Sequence, residues 1–164
     1  VVLRGNNTFG WVIVQYMTFP GEAIIRIKMT YQNTTGSTQN VKMMRAVDPD
    51  VDVIQYGTYN TNNQRGFGSI SGNDLVYSVG AFSGKPLSLY APGNGYTHNT
   101  GVLTSWPTYD FDYILSGASN NTTSDDGIGA AWNIGAVANG ASASVCCYYI
   151  CGSNLADIVA AIGA

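Results

Sequence analysis

Along residues 23–31, AIIRIKMTY, side chains alternate in character, with Ala23, Ile25, Ile27, Met29 and Tyr31 on one side and Ile24, Arg26, Lys28 and Thr30 on the other. A period of two puts successive side chains on opposite faces of a strand, so the segment predicts a strand with one face in a core and one wet. The polar loop NTTGSTQN follows, and residues 41–47 read as the returning strand of a hairpin. Further strands are predicted at 66–70, 75–81, 86–90, 111–115, 130–137 and 141–151. Asn139-Gly140 separates the last two and predicts a second hairpin, because tight hairpin turns need residues that tolerate positive φ. Residues 90–113 form a long aromatic, Gly- and Pro-containing stretch read as a functional loop or an assembly surface. Many short strands joined by Gly-rich turns predict an all-β fold, an antiparallel β-sandwich of Ig-like or jelly-roll-like kind.

The two ends depart from this alternation. Residues 11–17 are apolar on both faces, with Trp11, Ile13 and Met17 on one and Val12, Val14 and Tyr16 on the other, and such a strand needs cover on both sides. Before it, Val1, Val2 and Leu3 precede a polar break, and Phe9 closes the segment. Residues 1–9 are therefore read as an arm that pairs with a second copy, and residues 10–164 as one sandwich domain. In SNLADIVAAIGA, Leu155, Ile158, Val159 and Ile162 recur at helical spacing, with Asn154 placed to cap and Gly163 to stop. A short C-terminal helix is predicted, an extended tail being the other reading, and its apolar side is a second candidate assembly surface.

Composition narrows the function classes. Of the 164 residues only 10% are charged while 45% are hydrophobic, so the polar surface is built from Ser, Thr, Asn and Gly. That surface suits an extracellular β protein. A net charge of −3, an isoelectric point near 4.7 and seven scattered Lys and Arg exclude a nucleic-acid surface, which needs clustered cations. No apolar run approaches a membrane span. The chain does not start with Met, which fits a secretion signal already removed. Cys146, Cys147 and Cys151 share one predicted strand, where Cys147 and Cys151 would lie roughly 13 Å apart, beyond disulfide reach. Buried thiols acting as small apolar groups are the leading reading, with an intermolecular bridge or a metal site as alternatives.

Candidate chemistry is sparse. In MMRAVDPDVDV, Asp48, Asp50 and Asp52 resemble the opening of a calcium loop, but Val53 and Tyr59 stand where an EF-type loop needs Gly and Glu. The competing reading is structural: Arg45 points inward at the strand end and takes Asp48 or Asp52 as its partner. His98, the single histidine, has no Gly-x-Ser-x-Gly elbow to serve and is read as a loop residue. Glu22 is the single Glu, and Asp110 with Asp112 share a predicted strand face, so no acid-base pair stands out and no enzymatic activity is expected. Tyr90, Tyr96, Trp106, Tyr109 and Tyr113 can form a sugar-stacking platform or pack beneath the long loop. Asn6, Asn33, Asn120 and Asn121 each open an N-x-T sequon in a predicted loop and are the candidate glycosylation sites.

Taken together, VVLRGNNTFGWVIVQY, IIRIKMTYQNTTGSTQNVKMMRAVDPDVDV and AAWNIGAVANGASASVCCYYI resemble the β-sandwich protomers of glycosylated extracellular helical filaments, of the kind found in environmental water. The resemblance implies a structural role: a secreted or cell-surface, pilus-like homopolymer joined by terminal-strand insertion, carrying N-glycans and no active site. It also implies an Asp-x-Asp turn after a strand ending near an Arg, matched by Arg45, Asp48 and Asp50. The alternative expectation is a carbohydrate-binding or adhesin module built on residues 90–113, with calcium at Asp48, Asp50 and Asp52.

Overall fold

A computed structural model describes residues 1–6, 8, 10–21, 23–104, 110–118 and 121–163. Among these residues eleven strands run β1 (Val2–Asn6), β2 (Trp11–Gly21), β3 (Ile24–Asn33), β4 (Gln39–Val47), β5 (Thr61–Arg65), β6 (Leu75–Gly80), β7 (Pro86–Tyr90), β8 (Thr97–Leu103), β9 (Thr122–Ser124), β10 (Gly127–Val137) and β11 (Ser142–Cys151). They form two antiparallel sheets packed together, one of eight strands in the order β1-β2-β3-β11-β7-β6-β5-β9 and one of three in the order β4-β10-β8. Three short helices are α1 (Val53–Tyr56), α2 (Phe111–Ser116) and α3 (Leu155–Ile162).

The inward faces meet as the alternation predicts. Ile27 and Met29 of β3, Val76 of β6, Leu89 of β7 and Val145 and Cys147 of β11 pack against Val102 of β8 and Ile128, Ala130 and Trp132 of β10. Trp132 is fully buried at the centre and donates its indole N–H to the Pro92 carbonyl at 3.0 Å. The outer faces are covered in part by helices. Ile158 of α3 is buried with Leu75, Tyr77 and Ile150, with Leu155 and Ile162 packed against them, while Ile114 of α2 is buried with Leu103 and Ala131. The predicted C-terminal helix is present, and Asn154 caps it by accepting from the Ala156 and Asp157 amides.

Both predicted hairpins are corrected. β3 and β4 lie in different sheets, as do β10 and β11, so the loops 34–38 and 138–141 are corners where the chain changes sheet. Asn33 ties the two corners together. Its Nδ2 donates to the Ser37 carbonyl at 2.7 Å and the Val137 carbonyl at 2.8 Å, and its Oδ1 accepts from the amide and hydroxyl of Thr35. Its backbone bonds across as well, Asn33 N–H to the Ala141 carbonyl and Gly140 N–H to the Asn33 carbonyl. Gly140 takes the positive φ of 81° that the corner requires, but Asn139 spends its side chain on the Gly36 amide of the neighbouring corner.

Three other expectations change. Residues 66–70 are a turn, because Gly66 and Gly68 both adopt positive φ and only a Phe67–Ile70 bridge forms. The strand there is β5, whose inward residues are polar and therefore invisible to an apolar period: buried Thr61 and Asn63 satisfy each other, Ser78 and the Ser124 carbonyl. Residues 111–115 form helix α2 instead of a strand, since the Asp110 carboxylate caps the Asp112 amide and Gly117 ends the turn at φ 71°. The stretch 90–113 likewise contains β8 and the start of α2, so it is not one long loop. Because Trp132 fills the centre between the sheets, Trp132→Ala is expected to cost about 3–5 kcal/mol, read as a lowered midpoint in urea unfolding at constant slope.

Candidate functional site

The acidic segment divides into two environments. Asp52 is fully buried, and its carboxylate accepts from the Phe82 amide at 2.7 Å and the Ser83 amide at 3.2 Å, clamping α1 to the turn after β6. Burial pushes this carboxyl up, but the hydrogen bonds from the Ser83 hydroxyl and the two amides outweigh it and hold it below its ordinary value. Gly80 is what allows the approach, since a Cβ there would sit 2.5 Å from Asp52 Oδ1. Asp52 therefore leaves the predicted cation set. Its place is taken by Asp125: carboxylate oxygens of Asp48, Asp50 and Asp125 lie within 4.8 Å of one another. Burial first, then the neighbouring like charges, raise the Asp48 and Asp50 carboxyls. Three converging carboxylates are a donor set that a hard cation such as calcium accepts. Asp125 was missed because it lies far along the chain in a polar SDDG turn with no motif of its own.

The predicted Arg45 ion pair is also corrected. Arg45 does point inward, but its Nε donates to the Tyr149 hydroxyl at 2.7 Å and its Nη1 to Gln15 Oε1 at 3.1 Å. Its guanidinium lies 5.2 Å from the Tyr149 ring centroid. Cation, phenol and amide thus join β4 to β11 and β2 across the sandwich, and among the described residues no carboxylate is ion-paired with Arg45.

The sequons separate by burial. Asn33 is buried with both Nδ2 hydrogens donated, so in this fold it offers no amide to a glycan, and its reading as a glycosylation site is withdrawn. The Asn-Thr-Thr triplet is there because a buried Asn with a Thr two residues on makes a side-chain turn. Asn6 and Asn121 are exposed, Asn6 ending β1 and Asn121 beside β9, while Asn120 lies outside the described residues.

The predicted assembly residues fall on two unlike surfaces. Ile158, Leu155 and Ile162 are already covered by the chain's own sheet, so the apolar side of α3 is not free; Val159 is half-buried. Residues 1–6 instead fold back as β1 against β2, with Leu3 opposite Gln15 and Val2 opposite Tyr16. All five residues of β1 are exposed, and Phe9 lies outside the described residues. Exposed apolar side chains gather on this hairpin: Val1 at 67%, Val2 at 58% and Leu3 at 53%, with Ile13, Tyr16 and Phe19. The hairpin overhangs the smaller sheet, whose edge strand is β4, and a cleft of about 320 Å³ opens between them. Trp11, Ile13 and Tyr31 line one wall, Val41 and Met43 the other.

The aromatic platform is dispersed. Tyr96 packs on the central core, Tyr113 within α2 packs against the cluster of Leu103, Ile114 and Ala131, and Trp106 and Tyr109 lie outside the described residues. Tyr90 lies beside Tyr148 on the outward face of the large sheet. His98 sits on β8 rather than in a loop, and its Nε2 lies 2.6 Å from Asp74 Oδ1, joining β8 to the turn before β6. Asp112 pairs with Lys42 instead of Asp110. Cys147 is buried and its thiol is pushed up to about 12, so it is a neutral apolar group at physiological pH. Among the described residues no helix is long and apolar enough to cross a membrane.

Two predictions follow from burial. A carboxyl raised on folding opposes the fold above the ordinary value of 3.8, whereas one lowered on folding supports it there and loses that support as pH falls. Asp50→Asn is therefore expected to raise Tm at pH 7 by a few degrees and Asp52→Asn to lower it, both differences shrinking in scans at pH 3. Glycopeptide mapping of material from a glycosylating host is expected to find occupancy at Asn6 or Asn121 and none at Asn33. No protein-family model matches the chain and no curated protein matches it, so its function is read from these surfaces.

Proposed function

We propose that the protein is the structural protomer of an extracellular, pilus-like filament, joined by exchange of residues 1–9 between successive copies. The observation that carries this reading is the β1–β2 hairpin, which overhangs the three-stranded sheet and leaves Val1, Val2, Leu3, Ile13, Tyr16 and Phe19 exposed beside an open strand edge. A long apolar edge strand is a template for another chain, and soluble proteins ordinarily blunt it with charge, Pro or cover. Here Arg4 is the one charge on β1.

The energetics favour exchange. In its own fold every residue of β1 is exposed and the strand is bonded along one edge, so releasing it forfeits backbone pairs and only part of its apolar burial. The adjacent cleft offers apolar walls and the outer edge of β4, and the Tyr31 hydroxyl beside it is buried with no partner among the described residues. A strand entering there gains main-chain bonds and burial of alternate side chains, each worth roughly 1.5–3 kcal/mol when fully covered. Donor and acceptor are different surfaces, so the contact is heterologous and propagates as an open polymer. A glycan at Asn121 would shield the opposite edge of the large sheet at β9, leaving one edge for assembly.

The test is negative-stain electron microscopy with sedimentation of the full chain. Filaments are expected from the wild type at milligram concentrations, and dispersed particles from Leu3→Lys/Ile13→Lys, both at exposed positions that folding tolerates. A wild-type chain that stays monomeric throughout overturns the reading.

A further inference from the structure

The outward face of the large sheet carries a second cleft, remote from the overhanging hairpin's inner side, of about 420 Å³. Its floor follows from strand register. Tyr148 of β11 stands directly opposite Arg26 of β3 on one side and Tyr90 of β7 on the other. Three side chains thus form a row across three adjacent strands, roughly 10 Å from end to end by strand spacing. Ile24 and Ile150 continue the floor, Ala161 and Ile162 of α3 make one wall, and Pro20 makes another.

The chemistry of the row is asymmetric. At one end is an exposed guanidinium, which among the described residues donates to Cys146 Sγ at 3.7 Å and has the Tyr148 hydroxyl as a second hydrogen-bonding neighbour. A thiol is a weak acceptor and a phenol takes one donor, so among the described residues the guanidinium keeps donors in the fork geometry that fits a carboxylate. At the other end the Tyr148 and Tyr90 rings lie 5.9 Å apart and inclined by 35°, an amphipathic surface with two hydroxyls. The volume lies within the usual range for small-ligand sites, with apolar lining and a few fixed polar groups. A purely aliphatic acid would leave the tyrosine hydroxyls unmatched. A ring with an apolar face, hydroxyls at its rim and a carboxylate at one end meets every group in the row.

We propose that Arg26, Tyr148 and Tyr90 form a binding site for a carboxylate-bearing pyranose, with the carboxylate on Arg26 and the sugar ring on the tyrosines. The site does not depend on the filament reading, because it uses the chain's own outward face and no second copy. Two sources supply this chemistry, a hexuronate polymer and a terminal sialoside, and the probes separate them.

The experiment is calorimetric titration of the full chain with trigalacturonate, with 3′-sialyllactose and with neutral maltotriose, repeated with Arg26→Gln and Tyr148→Leu. Tyr148→Leu is checked by thermal unfolding; Arg26 is exposed and tolerates the change. Saturable binding of at least one acidic probe is expected, weakened tenfold or more by Arg26→Gln and by raised salt, with maltotriose at least tenfold weaker than that probe. The acidic probe that binds identifies the source. Absence of binding by both acidic probes at millimolar concentration, or equal affinity in wild type and Arg26→Gln, overturns the proposal.

Discussion

Asn33 is the residue on which the architecture turns. Two chain segments must leave one sheet and enter the other at the same end of the sandwich, and each corner strips backbone groups of their ladder partners. A single buried carboxamide supplies what both corners lack: two donors for the Ser37 and Val137 carbonyls and an acceptor for Thr35. An aspartate could accept but not donate, and a serine could not reach both carbonyls. Leaving a buried polar group without its partner costs about 1–3 kcal/mol, and the Val137 carbonyl, bonded in the interior, is the group that losing this side chain would leave without its donor. The pairing of sheet with sheet at this end thus rests on polar satisfaction together with apolar packing of Tyr31, Val41, Val137 and Ala143, against which Trp11, Met43 and Ile134 lie.

Fixing those corners fixes the relative width of the sheets. Once β4 and β10 are sent to the smaller sheet, only β8 joins them, while β1 and β2 extend the larger sheet beyond the cover. Arg45 marks the boundary. It bridges to Gln15 where apolar packing thins out, a polar strut at the place where the two sheets begin to diverge. Beyond it Val1, Val2 and Leu3 are exposed, and their exposure is a consequence of sheet topology as much as of composition.

Local patterning made the central strands legible. The alternation in β3, the span of β7 and the capped periodicity of α3 were readable because each depends on residues within a few positions of one another. What could not be read depends on distant partners. A hairpin and an inter-sheet corner place the same Gly and Asn residues between the same strands, and only pairing decides between them. β5 hid because its buried face is Thr61 and Asn63, polar groups that become acceptable inside only when Ser78 and β9 arrive to bond them. The carboxylate cluster was half legible for the same reason: Asp48 and Asp50 are neighbours in sequence, but Asp125 joins them only in the fold, and Asp52 is drawn away by two amides after β6.

The large sheet also separates roles by face. On its inner side the strands carry Ile27, Met29, Val145 and Cys147, whose thiol is neutralised by burial. One residue earlier, Cys146 faces outward beside Arg26, in the row that ends at Tyr90. Because a strand alternates its faces strictly, the apolar interior pins the register, and pinning the register places Arg26, Tyr148 and Tyr90 side by side without any contact among them having to enforce it. A slip of one residue in β11 would bury the Tyr148 phenol and expose Cys147 and Tyr149, breaking the Arg45 bridge at the same time. Core packing and the outward aromatic row are therefore not independent features: the forces that hold the sandwich closed are the ones that set the geometry of its open face.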